Sequence, residues 1–579
     1  MPLVNAASVP TASASRTQIV VAIPVESADE VDSALAMAAA EIAAGATLVE
    51  WRVDSLAEEA DGLASVLRLV RECKAPCVVT IRGVAEGGAF RGNEMDRVSL
   101  LEAIGTADPA PRFIDFELAS LGCSANIRQK ILLAVAHPPQ PAAKKPQLIL
   151  SSHDFQGRPS DLTRRAVAMW NDPACAVAKL AWRARSVRDC VEAFELLHQA
   201  PKPTIALCMG PFGMASRVLA AKFGAFLTYA RAEGDPGTAP GQPTVAQLRK
   251  LFRFDSISRT TQVFGIVGWP LDQSLSPLIH NAGFGAIGFD GCYVPFPIPT
   301  EWEHFKAGMH ALREFRQLDV RGLSVTIPHK EHAVRFIREC GGELDAISDW
   351  CGAANTILFR PDGSLKALNT DAPAAVASLA VALALHGDTS ASLACGQDPH
   401  TVPGGNEMRS AWRNIHVAIL GAGGAARAIA AGLALAGARV TLFNRTHARA
   451  EAIAHSLHGR ALPGGGEAQV TASRMDQFSG ETFQAIVHAT SVGMEGGSDP
   501  EGCMLPPDVA LHQKMVVLDT VYRPLQTPLL RMAAEQGATV VDGSDMFIRQ
   551  AHMQFELFTG HAAPAGLFRR LVDGSLRVR

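Results

Sequence analysis

The sequence predicts an α/β protein of several domains: an N-terminal (β/α)8 barrel of the TIM type, a smaller α/β domain, and a Rossmann-type dinucleotide-binding domain. Three observations predict it. Short β-rich runs alternate with helix-like stretches from Gln18 to Phe252, the alternation restarts after the polar stretch Arg253–Thr261, and a glycine-rich turn at 421–425 joins an apolar run to a small-residue helix pattern. Alternation of this kind builds parallel sheets covered by helices. A chain of 579 residues, 48% hydrophobic, also exceeds a single core, which stops growing at about 250–300 residues.

The barrel is predicted over 18–252, with strands at 18–24, 47–53, 77–82, 113–117, 147–152, 175–181, 204–209 and 226–230. Each is followed by a helix pattern such as Ala28–Ala43 or Ser186–His198, and eight β/α units make this fold. Residues 1–17 read as a disordered tail, too poor in arginine for a transit peptide. The middle α/β domain spans 262–386, with strands near 263–268, 292–296, 323–327 and 355–359. Residues 387–412, rich in Gly, Ser, Asp and Pro, read as a loop or insertion. The dinucleotide-binding domain spans 413–542, with strands near 415–420, 438–443, 484–488, 515–520 and 538–541. Residues 543–579 read as C-terminal helices that pack back on the middle domain.

Charges sit at alternate positions of the barrel strands. Residues i, i+2 and i+4 of a strand share a face, so Glu50, Arg52 and Asp54 point one way while Trp51 and Val53 point to the covering helices. Thr80 and Arg82, Asp115 and Glu117, and Ser151 and His153 repeat the pattern. One such strand is an ordinary solvated edge; four in one barrel belong to an open mouth that binds something polar. Lys179 lies in the apolar run Ala176-Val177-Ala178-Lys179-Leu180-Ala181. Burial disfavours an ammonium, so Lys179 is expected to have a depressed pKa and to act as a neutral amine that forms an imine with a ketone. His153 is the candidate base and Glu86 its orienting carboxylate.

These segments resemble type I 3-dehydroquinate dehydratase: Glu50-Trp51-Arg52-Val53-Asp54, Thr80-Ile81-Arg82 with Glu86-Gly87-Gly88, Ser152-His153-Asp154, Lys179, Met209-Gly210 with Ser216-Arg217, and Ala239-Pro240-Gly241-Gln242. The resemblance covers 18–252. It implies that Lys179 forms the imine, that His153 removes the C2 proton, and that water is eliminated to give 3-dehydroshikimate, without a metal. It implies carboxylate binding by Arg217 and hydroxyl binding by Glu50, Arg52, Arg82 and Gln242, with Thr238 where serine is more usual.

In the second half, Val417-Ala418-Ile419-Leu420 runs into Gly421-Ala422-Gly423-Gly424-Ala425, small residues that let backbone amides approach a pyrophosphate. The next strand ends in Asn444-Arg445-Thr446, where an acid would bind the ribose of NAD. Arg445, helped by Arg449, offers charge to a 2'-phosphate, so NADP(H) is the expected cofactor. Lys330 and Asp371 are candidates for a proton relay to an alkoxide.

Their settings, Gly322-Leu323-Ser324-Val325-Thr326-Ile327-Pro328-His329-Lys330 and Asn369-Thr370-Asp371, resemble shikimate dehydrogenase. So do Ser274-Leu275-Ser276-Pro277, Ala354-Asn355-Thr356, Val521-Tyr522-Arg523-Pro524 and Gln550-Ala551. The resemblance covers 262–579 and implies that Ser274, Ser276 and Tyr522 hold the substrate carboxylate. Thr326, Asn355, Asp371 and Gln550 would line the ring, and Lys330 with Asp371 would be the catalytic pair. Gln273, Ser324, Ala372-Pro373 and Ser544-Asp545 depart from the usual residues. Together the halves imply a two-step shikimate-pathway enzyme; rival readings are oxidation of quinate as well as shikimate, and a silent metabolite sensor.

Net charge of −4 without like-charge runs argues against nucleic acid or an anionic membrane as partner, leaving small metabolites. The 11 scattered cysteines, with no C-x-x-C pair, fit reduced thiols in a cytoplasm better than disulfides or a zinc site. The longest apolar run, Ala374–Leu385, is too short to cross a bilayer. Nothing in the sequence sets an oligomeric state.

Overall fold

The computed structural model describes residues 16–136, 145–234, 241–384, 412–462, 465–506 and 509–577. Two compact units emerge: Met1–Gln262 with Asp290–Ile298 and Ala307–Asp319, and Val263–Phe289 with Pro299–Lys306 and Val320–Arg579. Among the described residues no helix is long and apolar enough to cross a membrane.

In the first unit the strands are β1 (Gln18–Pro24), β2 (Leu48–Arg52), β3 (Cys77–Thr80), β4 (Phe113–Glu117), β5 (Gln147–Asp154), β6 (Cys175–Arg183), β7 (Thr204–Met209) and β8 (Leu227–Ala230). They form one sheet of order β7-β6-β5-β4-β3-β2-β1-β8. The β1–β8 seam is a parallel ladder. Between β7 and β8 the ladder is interrupted, and Phe226 N–H donates to Thr204 O at 2.9 Å, so the barrel is nearly closed.

Inward-facing side chains are layered. Val20, Leu48, Val78, Phe113, Ile149, Val177, Ile205 and Leu227 pack together as an apolar plug. Two residues further along six of the eight strands the inward positions become Glu50, Thr80, Asp115, Ser151, Lys179 and Tyr229, all buried. The barrel interior is therefore a filled core below and a polar mouth at the carboxyl ends above, where this fold carries its sites. Trp51 and Val53 are fully buried against the helices, as the alternation requires.

β10 (Gly291–Pro297) is grouped with the first unit. The second unit begins with β9 (Gln262–Gly268) and continues with β11 (Val320–Val325), β12 (Glu343–Leu344), β13 (Thr356–Phe359) and β14 (Leu365–Leu368). Here β9, β11, β13, β14 and β12 lie side by side in that order. The predicted strand 323–327 stops at Val325, because Pro328 ends the ladder and Thr326 onward forms the turn into helix Lys330–Glu339. The hairpin partner β14 and the two-residue β12 were not predicted.

The last sheet contains β15 (His416–Leu420), β16 (Arg439–Phe443), β17 (Gln469–Ser473), β18 (Ala485–His488), β19 (Val516–Asp519) and β20 (Thr539–Val541). Its order, β17-β16-β15-β18-β19-β20, is all parallel and doubly wound. The order reverses between β15 and β18, the crevice where such sheets bind ligands. Helix Gly424–Ala436 follows β15 and ends on Gly437, whose φ of 102° suits glycine. Helix Gly543–Thr559 packs on helix Asp371–Ala384 and on β11 and β13, and helix Leu567–Arg577 packs on helix Ser276–Ala286. The predicted insertion 387–412 falls almost wholly outside the described residues, as does most of the predicted tail.

Candidate active sites

At the barrel mouth the strand register gathers charges from distant parts of the chain. Parallel pairing sets Ser151 opposite Lys179 and Thr80 opposite Asp115. Lys179 Nζ then donates to Asp115 Oδ2 at 2.8 Å and approaches Glu50 Oε1 at 3.5 Å. Asp115 Oδ1 also accepts from Arg82 Nη2 at 2.7 Å and Ser151 Oγ at 2.6 Å. Thr80 Oγ1 donates to Glu50 at 2.7 Å, and the Tyr229 ring lies 4.6 Å from Lys179 Nζ.

This overturns the expected sign of the Lys179 shift. Burial does pull the ammonium down, but Asp115 and Glu50 outweigh it and hold the Lys179 pKa above its ordinary value. The same pairing lowers Asp115 to about 2: burial alone would raise it, and Arg82 with Lys179 prevails. In the resting site Lys179 is therefore a paired ammonium, not a free amine.

His153 is held well below its ordinary pKa by burial and by Arg82, Lys179 and Arg52, so it is a neutral imidazole. Arg82 Nη1 lies against the ring, 2.9 Å from Nε2. Glu86 Oε2 accepts from His153 N–H at 2.8 Å and lies 3.1 Å from Nδ1. Burial raises Glu86 to about 7.

Arg217 is 1% exposed and its Nη1 has no partner among the described residues. Burial lowers its pKa to about 10. An unpaired buried guanidinium is a ready site for a carboxylate. Arg52 lies at the half-buried rim, donating to Asp54 Oδ2 at 2.8 Å. Gln242 is buried and its backbone carbonyl accepts from Arg231 Nε at 3.2 Å. Thr238 lies outside the described residues.

In the second unit Lys330 and Asp371 each open a helix, Lys330–Glu339 and Asp371–Ala384. Lys330 Nζ donates to Asp371 Oδ2 at 2.5 Å. Asn355 Nδ2 donates to Asp371 Oδ1 at 2.9 Å, and Asn355 Oδ1 accepts from Thr370 N–H at 2.8 Å. Gln554, which the sequence reading missed, is 1% exposed. Its Nε2 donates to Asn355 O at 3.1 Å and to Thr356 Oγ1 at 2.9 Å, and its Oε1 accepts from Ser324 Oγ at 2.7 Å. The available signal was its helical spacing from Gln550, which puts both on one face.

Trp269 N–H donates to Ile327 O at 3.1 Å, so the turns after β9 and β11 adjoin, Thr326 among them. Ser276 starts helix Ser276–Ala286 and its N–H donates to Ser274 Oγ at 3.3 Å. The Tyr522 and Phe547 rings lie tilted against each other with centroids 5.0 Å apart, and Gln550 Nε2 donates to Phe547 O at 2.9 Å. Among the described residues, no hydrogen bond joins Ser274, Ser276, Tyr522 or Gln550 directly to the Lys330–Asp371 pair.

The glycine turn is tight on one side and open on the other. A Cβ on Gly421, whose φ is +128°, would fall 2.7 Å from Ala489 O; one on Gly424 would fall 3.1 Å from Lys330 Cβ; one on Gly423 would meet nothing within 4 Å. Ala422 and Ala425 complete the turn, half-buried. Beyond β16, Asn444 Nδ2 donates to Thr446 O at 2.8 Å, leaving Arg445 and Arg449 exposed and, among the described residues, without an ion pair. An open turn at a helix start, with unpaired arginines just after the next strand (Arg445) and in the first turn of the helix that follows it (Arg449), fits a dinucleotide bearing a 2'-phosphate. Among the described residues no group of three or more His, Cys, Asp or Glu is placed to hold a metal.

Comparison with known proteins agrees with this geometry. Residues 19–259 match the family Type I 3-dehydroquinase, 266–357 the shikimate dehydrogenase substrate binding domain, and 543–572 the shikimate 5'-dehydrogenase C-terminal domain. The chain is 33% identical over 535 residues, 91% of its length and 80% of the relative's, to the chloroplastic bifunctional 3-dehydroquinate dehydratase/shikimate dehydrogenase of Arabidopsis thaliana. It is 30% identical to the shikimate biosynthesis protein AroDE of Chlamydia pneumoniae, covering 72% of this chain and 74% of that one. Its second half is 38% identical to the shikimate dehydrogenase (NADP(+)) of Caulobacter vibrioides, over 53% of this chain and 93% of that one. With both halves matched in order along one relative, the chain belongs to the bifunctional 3-dehydroquinate dehydratase/shikimate dehydrogenase family.

Proposed function

We propose that the chain catalyses two consecutive steps, dehydrating 3-dehydroquinate to 3-dehydroshikimate in the barrel and reducing that product to shikimate with NADPH in the second unit. The observation that carries the reading is a pair of lysine–carboxylate centres, Lys179–Asp115 and Lys330–Asp371, each in the setting its step requires.

In the barrel the substrate carboxylate takes the unpaired Arg217, and Glu50, Arg52, Arg82, Gln242 and Thr238 hold hydroxyls. Lys179 gives up its proton on binding, attacks the ketone carbon, and the ketone oxygen leaves as water. The resulting iminium draws electrons from C2, so neutral His153, oriented by Glu86, can take the C2 proton. The electron pair expels the C1 hydroxyl, which leaves as water with a proton returned by His153. Hydrolysis of the imine frees 3-dehydroshikimate and restores Lys179.

In the second unit Ser274, Ser276 and Tyr522 take the carboxylate, and Thr326, Asn355 and Gln550 line the ring. Gly421, Ala422, Gly423, Gly424 and Ala425 would hold the diphosphate, and Asn444, Arg445, Thr446 and Arg449 the 2'-phosphate. NADPH, when bound, supplies a hydride to the ketone carbon. Lys330 gives the oxygen its proton, and Asp371, itself held by Asn355, keeps the ammonium in place. We place the chain in the cytoplasm: its ten described cysteines are all free thiols, as a reducing compartment maintains.

The test supplies purified protein with 3-dehydroquinate, first alone and then with NADPH or NADH. Enone absorbance should rise without cofactor, and NADPH should then be consumed faster than NADH. No enone from folded protein would sink the first half; enone without NADPH consumption would sink the second.

A further inference from the structure

The second unit buries a polar chain that the two-step reading does not use. Thr527 Oγ1 donates to Asp519 Oδ2 at 2.7 Å, His488 Nδ1 lies 2.9 Å from Asp519 Oδ1, and His488 Nε2 lies 2.5 Å from Thr490 Oγ1. His488 is 2% exposed and Asp519 0%. The partners assign the protons. Asp519 Oδ1 already accepts from Val521 N–H at 2.9 Å and Oδ2 from Thr527, so Asp519 is an acceptor throughout and His488 Nδ1 is the donor. In the Nδ1–H tautomer Nε2 accepts from Thr490 O–H, while Thr490 Oγ1 accepts from Val492 N–H at 3.2 Å.

The ends of this chain lie where both ligands are expected. His488 closes β18 beside β15, at the reversal of strand order, and Ala489 N–H donates to Leu420 O at 2.8 Å. Thr490 Cγ2 would be 2.9 Å from a Cβ on Gly421, so Thr490 walls the glycine turn. At the other end Asp519 holds Val521 N–H, the residue before Tyr522. One buried carboxylate thus anchors both a cofactor-side loop and a substrate-side loop, and the histidine serves only the first.

We infer that His488 and Asp519 are positioning residues: Asp519 fixes the Val521–Tyr522 turn directly and, through His488, fixes Thr490 against the glycine turn. The inference rests on the reading of this unit as an NADP-dependent dehydrogenase. A merely structural His–Asp pair would lower stability and both affinities together. A positioning pair separates the ligands.

Full-length protein is titrated calorimetrically with NADP+ alone and with shikimate alone. An asparagine amide overlays Nδ1, so His488→Asn keeps the bond to Asp519 and loses Thr490; a glutamine amide overlays Nε2, so His488→Gln keeps the bond to Thr490. A single hydrogen bond is worth about two- to tenfold in affinity. His488→Asn should therefore weaken NADP+ binding about fivefold and leave shikimate unchanged, His488→Gln, which gives up the bond to Asp519, should likewise weaken NADP+ alone, and Asp519→Asn should weaken both ligands. Parent-like NADP+ binding by His488→Asn or His488→Gln, or equal losses for both ligands in either variant, would each overturn the inference. Should His488→Asn not fold, Thr490→Val breaks the same bond from its half-exposed end and must give the same cofactor-only loss. Failure of the parent chain to bind NADP+ would instead remove the dehydrogenase reading on which all this rests.

Discussion

Replacing Asp115 by asparagine asks whether the barrel lysine is held as a paired ammonium. The carboxylate takes hydrogen bonds from Lys179 at 2.8 Å, Arg82 at 2.7 Å and Ser151 at 2.6 Å, and its side chain is fully buried. An amide offers one oxygen and turns an NH2 group toward a cation, so a charged bond is lost on one side. Breaking a buried pair in this way costs about 3–5 kcal/mol. At about 2–4 °C per kcal/mol for a domain of this size, the barrel transition should fall by roughly 6–20 °C. The chemistry should shift too. Without Asp115, burial acts against a weaker opposition from Glu50, and the Lys179 pKa falls.

Borohydride trapping of the lysine–substrate imine, followed against pH, reads this directly, with the dehydrogenase rate of the same chain as reference. Its midpoint should move down by about one pH unit or more. A profile that stays put or moves up refutes the pairing argument. The parent carries a second signature. Asp115 is lowered from 3.8 to about 2, so its stabilisation is complete above the unfolded pKa and is lost as pH falls from about 4 toward 2. That shift amounts to about 2 kcal/mol, and asparagine should abolish the dependence.

Other outcomes follow from single contacts. Gly424→Ala places a Cβ 3.1 Å from Lys330 Cβ, and should lower the dehydrogenase kcat about tenfold or more by displacing the proton donor, with dehydratase kinetics unchanged; equal kcat would show that the helix start yields freely. Glu86, raised to about 7 by burial, should give dehydratase kcat/KM a rising limb centred near that pH as its carboxylate forms, and Glu86→Gln should erase the limb. The folded state binds the Glu86 proton more tightly than the unfolded chain does, so the parent loses stability as pH rises through this range while Glu86→Gln does not, a difference that denaturant titration would detect. Arg445→Ala should raise KM for NADPH about tenfold and leave KM for NADH within about twofold; equal changes would mean that Arg445 does not read the 2'-phosphate.

What the sequence discloses here is mostly periodicity. Alternation along Glu50, Arg52 and Asp54 shows which side chains share the barrel interior, and the turn Gly421–Ala425 marks the crevice of the last sheet. Partnership is another matter. Asp115 lies 64 residues from Lys179 and Glu50 lies 129, and only the strand stagger determines that Lys179 meets these two inward acids. The burial of Lys179 was legible from its apolar neighbours, but the sign of its shift was not, because the sign depends on that partner. Gln554 escaped for a related reason: a glutamine on an apolar helix face reads as an exception until Ser324, Asn355 and Thr356 are brought beneath it. The missed strands are short or polar, Glu343–Leu344 and Gln469–Ser473 among them, and owe their extension to a neighbouring strand.

The two lysines illustrate how one pairing can serve opposite proton movements. Lys179 sits inside the barrel, 5% exposed at its side chain, with Asp115 and Glu50 as partners and Arg82 as a competing cation. Such a site stores the ammonium until an incoming carboxylate and ketone rearrange the charges, because burial sets Lys179 against neighbouring carboxylates and not against bulk solvent. Lys330 is 17% exposed at its side chain and begins a helix, where the dipole disfavours a cation. Asp371 begins another helix, where the dipole favours its charge. That carboxylate keeps the ammonium at a position the helix alone would not hold it, and the partial exposure lets it regain the proton from solvent after each reduction. Exchanging the environments would disable the second step, because a sealed Lys330 could give its proton only once.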